Sequence, residues 1–548
     1  MSIKRNLCES DFCTGDPLAE WGFPGFHDGG DDTAYAVVRN TMVYRRLMGL
    51  GLEYRDIIDT LSGFYEVYRF VKESARSRLG EGVAFPGTRV SELNRTVSDG
   101  ANIIVSGGRI LFDEPLFIEK SAHIDFRYCR AVFDPAFRAS HAVVVRDTRD
   151  VVLKNLDLAG IPCSGIIVTR SKKVSVSECR FTGTDGCPLT VLGDSERVLI
   201  IGNTIKGFSF AGIHIQGRVT CSVIENNDVS CGTGIYNGHS GIFIGDRGKN
   251  LLEKDDFSGR ETWPLYRYAV EKVSERLHGP TRNIIVSNRF AENKGSGMYS
   301  DGAMLNCYAH NRIENNGKEG VCFDFGSSGN LFTYNNVIGN GRRSGHSDAD
   351  LRSDYVLEHG RMSDGTAKAK VPGISLDNAL YNIVLHNVVK RNYGGGIKCV
   401  RSDSYNVIGN NVIEDNNRGK NDTFHFFGIE LGAAPAEDDW GESDIYPSAG
   451  NIVCKNSIRG NHYAGIFFGD GCVQNEVRDN TIRGASPYAL ESVCAQENYV
   501  SRNVSDAPSV NVQETGGIRR ALLRSLLRRV VSRVLKPIRY AAGPGSSK

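Results

Sequence analysis

Proline is scarce in this chain, 16 of 548 residues, and methionine (6) and tryptophan (3) are scarcer still. So little proline excludes a collagen-like or Pro-rich linker protein. No run of about 18 apolar residues occurs, so no stretch reads as a membrane-spanning helix. The stretch from Met1 to Asp16 lacks an apolar core and carries Glu9, Asp11 and Asp16, so it does not read as a signal peptide. These absences predict a cytoplasmic location, where the 14 cysteines would remain reduced. Cys8 and Cys13 fit no zinc spacing. P-loop, His-Glu-x-x-His and EF-hand patterns are also missing. Net charge is +1, but all nine charges after Thr515 are Lys or Arg, which leaves an acidic body. Such a body is not a nucleic-acid binder.

Glycine, by contrast, is plentiful at 62 residues, and asparagine recurs periodically. The pair Asn-x4-Asn appears at Asn283/Asn288, Asn306/Asn311, Asn330/Asn335, Asn382/Asn387, Asn406/Asn411, Asn451/Asn456, Asn475/Asn480 and Asn498/Asn503. Most steps are 23 or 24 residues, and the two long steps of 52 and 45 are single repeats carrying insertions. Upstream, Asn155, Cys179, Asn203 and Asn227 keep the step of 24. Each unit also holds a short alternating segment, such as Gly212-Ile-His-Ile-Gln, Gly396-Ile-Lys-Cys-Val or Gly465-Ile-Phe-Phe-Gly. Period two means strand, with alternate residues facing inward. Short strands between Asn/Gly turns, repeated at this step, predict an all-β solenoid: a right-handed parallel β-helix of about a dozen coils. Ile213, Ile242, Ile374, Ile397, Ile429 and Ile466 form its expected interior column.

The predicted organisation has three parts. Residues 1–100 form an α-helical N-terminal cap, with helical spacing over 33–50 and 54–79 and Asp32 as the first N-cap. Residues 101–504 form the β-helix, interrupted by inserted loops near 245–282, 341–372 and 417–449. Residues 505–548 form a linker and a basic amphipathic C-terminal helix. In that last part, apolar residues recur at Ile518, Leu522, Leu526, Val530, Val534 and Ile538 among eight Lys/Arg. This pattern suits a helix lying on an anionic membrane surface through residues 518–540; a cap over the last coil is the alternative.

The outward-facing residues carry the candidate chemistry. Strands are expected to begin at Gly165, Pro188, Gly212, Gly241, Gly297, Gly320, Gly373, Gly396, Gly428, Gly465 and Tyr488. Four positions on from three successive origins lie Asp301, Asp324 and Asp377. Two positions on, the series is His214, Phe243, Tyr299, Cys322, Ser375, Lys398, Glu430 and Phe467. Carboxylates stacked at about 4.8 Å require a shared cation or a shared proton, so the three aspartates predict Ca²⁺ binding or a raised-pKa acid. Lys398, Glu430 and Asp377 are the candidate catalytic residues, and His239 and His425 are lesser acid–base candidates in loops. His214, Tyr299, Trp263, Trp440 and Arg342 are the candidate substrate contacts. The loops also contribute Tyr266, Tyr268, Tyr446, Arg343 and His346 around the same face.

The segment from Asp28 to Ala34, Asp-Gly-Gly-Asp-Asp-Thr-Ala, together with the coils, resembles the pectate-lyase-like superfamily. The resemblance implies a capping helix at that segment and a polysaccharide lyase, glycosidase, epimerase or tailspike function. In one class of pectate lyase, stacked calcium-binding aspartates precede a lysine base, as Asp301, Asp324 and Asp377 precede Lys398 here. The Asn-Thr-Asp and Arg-Ile-Lys motifs of polygalacturonases and the Asp-Pro-His motif of alginate epimerases are absent. The expected function is modification of an acidic polysaccharide or lipid-linked glycan, by a lyase or glycosidase, in a groove on the β-helix face. The alternative is a non-catalytic glycan-binding or scaffold β-helix at the membrane.

Overall fold

In the computed structural model, the described residues are 82–510 except 235–238, 246–278, 325–326, 328, 343–370, 378, 380–381, 401–402, 404–405, 418–426, 433–447, 470–471 and 493–497. Both predicted terminal helical regions, at 33–79 and 518–540, therefore lie outside them. Every named strand pairing is parallel, within one set of 27 strands and one sheet of 14 strands. The 14-stranded sheet runs from Leu116–Ile118 to Ser509–Val510, one strand per coil. The larger set supplies two further strands to most coils, for example Ile284–Val286 and Arg289–Ala291. This is a parallel β-helix.

Its interior is the column read from the sequence. Ile213 pairs with Ile242, and the ladder continues through Met298, Val321, Ile374, Ile397, Ile429 and Ile466 to Leu490. The six isoleucines are all 0% exposed. Burying each one contributes about 1.5–3 kcal/mol.

The corners depend on asparagine. Left-handed backbone belongs to the residue before each corner asparagine: Ser287, His310, Tyr334, His386, Lys455 and Asp479 have φ of 51–56°. None of these is glycine, and each costs roughly 1–3 kcal/mol in that region. The asparagines instead use their amides to bridge coils. Asn335 Nδ2 donates to the carbonyl of Tyr308 below and to Asn387 Oδ1 above, while its Oδ1 accepts from the backbone N–H and Nδ2 of Asn311.

A third asparagine column extends the pattern to Asn-x4-Asn-x4-Asn. It runs through Asn293, Asn316, Asn340, Asn392, Asn416 and Asn461, with the same amide-to-amide bonds of 2.9–3.1 Å. This column helps to explain the glycines that open the strands from Gly241 to Gly428. A Cβ on Gly297 would lie 2.7 Å from Asn316 Nδ2 and 2.7 Å from the Gly320 carbonyl.

Four boundaries differ from the sequence reading. The β-helix begins before residue 101, because Val83–Phe85 already pairs with Ile103–Val105 and a short helix, Val90–Thr96, follows it. Asn155 is not in the asparagine column: Arg180 pairs with Asp157, so Leu156 aligns with Cys179 and fills the core. Tyr488 pairs with Ala464, so Ala489, not Tyr488, matches the Gly465 origin. The 417–449 region is not one loop, since the strand Phe427–Leu431 lies inside it.

Substituting Asn335 by alanine leaves the buried N–H of Asn311 without its partner and removes the amide bond to the Tyr308 carbonyl. A buried N–H left unpaired costs about 1–3 kcal/mol. The variant should lower the urea midpoint and abolish hydrogen-exchange protection of the Asn311 amide. Preserved protection at Asn311 would mean that the ladder does not hold the coils.

Candidate active site

The outward row read from the sequence forms in register. His214 pairs with Phe243, then come Tyr299, Cys322, Ser375, Lys398, Glu430 and Phe467, and Glu491 extends the row. The 14-stranded sheet supports all of them, because their sequence neighbours point inward. The row nevertheless has two different halves.

The first half is covered. Cys187, Phe210, Ala211, Phe243, Tyr299 and Cys322 form a second buried cluster outside the sheet. His214 is buried within the same region, with its ring 5.1 Å from Phe243 and its Nδ1 3.9 Å from the Cys187 sulfur. Burial pushes its pKa down to about 3, so it is neutral and carries no charge to a substrate. His214 and Tyr299 are therefore not open sugar platforms, contrary to the sequence expectation: alternation puts them outside the sheet, and the second layer then covers them. His239 lies beside Phe210, ring centroids 4.8 Å apart. Burial, with Lys318 adding to it, takes its pKa down to about 4.

The acidic residues gather where the two halves meet. Asp301 pairs with Asp324 across adjacent strands. The next ladder ends at Phe323 and Leu376, immediately before Asp324 and Asp377. Asp301 and Asp324 are 2% and 7% exposed. The Tyr299 hydroxyl donates to Asp324 Oδ2 at 2.5 Å, a strong bond to a buried carboxyl. Glu319 joins them from the position before Gly320, and accepts from Ser296 Oγ at 3.0 Å. The Cys322 thiol registers the convergence: burial raises its pKa most, followed by Asp324, Glu319, Asp377 and Asp301. Sequence reasoning missed Glu319 because only two outward positions per strand were followed. The position before each origin glycine is also outward, as Ala211, Ser240 and Ser296 show by pairing in register.

The second half of the row is open. Lys398 Nζ lies 3.6 Å from Glu430 Oε1, and these side chains are 38% and 19% exposed. Trp263, Trp440, Tyr266, Tyr268, Tyr446, Arg343, His346 and His425 lie outside the described residues. Arg342 is described, and its guanidinium lies over the Tyr393 ring at 5.9 Å. Among the described residues, no three His, Cys, Asp or Glu side chains stand close enough to hold one metal ion. The three aspartates as arranged thus do not form a calcium cage.

The family model for the right handed beta helix region matches residues 116–261, 164–302 and 237–431, together more than half of the chain. The chain belongs to the right-handed β-helix family. Within that family, its coils are similar to those of several solved structures. The periplasmic alginate epimerase AlgG is 11% identical, covering 80% of this chain and 88% of that one, with a TM-score of 0.43. The A-module of the mannuronan C-5 epimerase AlgE6 from Azotobacter vinelandii is 14% identical, covering 77% and 100%, with a TM-score of 0.43. The Dettilon tailspike protein is 14% identical, covering 75% and 63%, with a TM-score of 0.41. No curated protein matches by sequence. These likenesses concern the coil architecture.

The covered half of this β-helix face has a pH signature. His214 has a folded pKa of about 3 against an ordinary value of 6.5, so the unfolded chain binds its proton first. Stability from this site is therefore complete above about pH 6.5 and falls as pH drops towards 3, by up to about 1.4 kcal/mol per unit. His141 and His310, also lowered to about 3, add to the same slope. Urea midpoints measured between pH 7 and pH 4 should fall, and the fall should be smaller in His214→Phe. An equal fall in that variant would show that His214 is not held neutral in the fold.

Proposed function

We propose that the protein is a polysaccharide-cleaving enzyme that acts on an acidic glycan lying along the outer face of the 14-stranded sheet. The observation behind this reading is the row in which Asp301, Asp324 and Asp377 occupy successive strands, followed on the next two strands by the open Lys398–Glu430 ion pair. Adjacent parallel strands lie about 4.8 Å apart, so Asp324 and Asp377 begin from neighbouring backbone positions. Like charges at such a spacing favour sharing a proton, which supplies one acid and one base near neutral pH. Asp377 is the more exposed of the two and serves as the group that exchanges a proton with the substrate. Asp324, buried and held by Tyr299, positions and tunes it.

Lys398 and Glu430 have complementary tasks. As the ammonium half of an ion pair, Lys398 suits holding a uronate carboxylate and offsetting the charge that develops beside it. Glu430, released when the substrate takes Lys398, is then placed as the second acid–base group. The same pairing makes Lys398 less suited to act as the free base suggested by resemblance. No step in this scheme passes through a metal ion.

The proposal includes a place of action. Residues 518–540 carry eight Lys/Arg and no Asp/Glu, with an apolar residue at every fourth position. Each basic residue near an anionic surface contributes roughly 1 kcal/mol. A protein held on the cytoplasmic membrane face would act on a lipid-linked glycan. The full-length chain should float with anionic liposomes, and a chain ending at Gly517 should not; equal behaviour of the two would remove the membrane from the reading.

The reaction is tested by incubating the protein with polygalacturonate, alginate and hyaluronan, with calcium or with a chelator. Ultraviolet absorbance of an unsaturated uronate marks a lyase, whereas new reducing ends without that absorbance mark a hydrolase. Asp377→Asn should lower the rate by about 10²–10⁴-fold, as loss of a general acid or base does, with little change in melting. Lys398→Ala should raise KM more than it lowers kcat. Full activity in both variants would place the chemistry elsewhere.

A further inference from the structure

Beyond Glu430 the outward row changes from charge to aromatic surface. Phe467 pairs in register with Glu430, as Glu430 does with Lys398, so the three occupy consecutive coils. The Phe467 ring stacks on Phe427 with centroids 4.1 Å apart and planes 5° apart. Tyr463 meets the same Phe427 edge-on, at 5.8 Å and 74°. The core does not require these rings, since Ile466 and Phe468 on the same strand, 0% and 1% exposed, already fill the interior. Phe427 is 5% exposed and fixed, whereas Phe467 and Tyr463 remain half-buried on the outside. Among the described residues, Tyr463 is also the non-glycine residue with the largest positive φ, 85°. Strain of that kind persists only where surrounding structure enforces it, and it gathers at binding sites.

We infer that Phe467 and Tyr463, braced by Phe427, form a platform for the apolar face of a sugar ring, one coil beyond Glu430 and two beyond Lys398. The inference rests on the proposed function for the occupant's chemistry. Its occupant is a further unit of the same acidic glycan, because the platform continues the charged row without a break. Aromatic rings bury large apolar area at fixed geometry, which suits the C–H face of a pyranose. The rise of about 4.8 Å per coil is close to the advance of an extended glycan per sugar. A chain running along the solenoid axis would thus place successive sugars over Lys398, Glu430 and Phe467. Glu491, next in register, supplies a polar rim beyond the platform.

Affinity electrophoresis separates binding from catalysis. The full-length protein is run through native gels cast with polygalacturonate, alginate or hyaluronan. At least one polymer should retard the wild type, and Asp377→Asn should be retarded equally. Phe467→Leu, which keeps bulk but removes the aromatic face, should lose most of that retardation, about tenfold in apparent affinity, and Phe467→Tyr should restore it. Unchanged migration of Phe467→Leu in the retarding gel would overturn the platform while leaving the cleavage reading intact. No retardation of the wild type in any gel would also overturn it, with the product assay still deciding the reaction. Melting curves of both Phe467 variants should match the wild type, since the ring lies outside the core.

Discussion

The side-chain amide of asparagine holds this molecule together. From Asn203 onward, at coil after coil, its Oδ1 accepts a backbone N–H that a corner would otherwise leave without a partner, and its Nδ2 adds a bond to a backbone carbonyl of a neighbouring coil. Unpaired buried groups of that kind would be repeated at each corner, a cost no small domain could sustain. Amide-to-amide bonds also fix the register, since a coil that slipped by one residue would lose all its ladder bonds together. The stabilised corners tolerate left-handed backbone at serine, tyrosine, histidine and lysine, where glycine would normally be needed. The preceding residue is thereby freed to vary, and along one corner it forms a stack of His310, Tyr334 and His386.

Register fixed in this way determines the candidate site. Parallel in-register strands translate a fixed offset from glycine into a straight row of side chains on one face. Residues distant in sequence, such as Lys398 and Phe467, become neighbours at coil spacing without any special local device. The same regularity sets the difficulty of the site, because acids at equal offsets are forced together. Asp301 and Asp324 are also buried, which is unfavourable for isolated carboxylates. The Tyr299 hydroxyl on Asp324 is one visible compensation. A cluster that is costly to maintain and does nothing for the core is a reasonable place to look for chemistry.

The two halves of the outer face divide the labour. Around His214 and Tyr299, a second apolar layer closes the sheet and keeps the imidazole neutral. Around Lys398, Glu430 and Phe467, the side chains remain partly exposed. The open half presents charge and aromatic surface together, while the covered half packs a second apolar layer beside the acidic residues.

The fold was legible in the chain because a solenoid writes its period directly: asparagines at corners, glycine and isoleucine at each strand. The outward row from His214 to Phe467 followed from the same offset, and so did the three aspartates. Tertiary structure alone decided which of these are accessible, since alternation says only that a side chain leaves the sheet, not what lies over it. It also revealed the third asparagine column, whose amides need the space left by the strand glycines. The ion pair of Lys398 with Glu430, the hold of Tyr299 on Asp324 and the stacking of Phe427 on Phe467 depend on side-chain reach across coils. Sequence spacing determined which residues would be neighbours; only packing in three dimensions decided which of them touch.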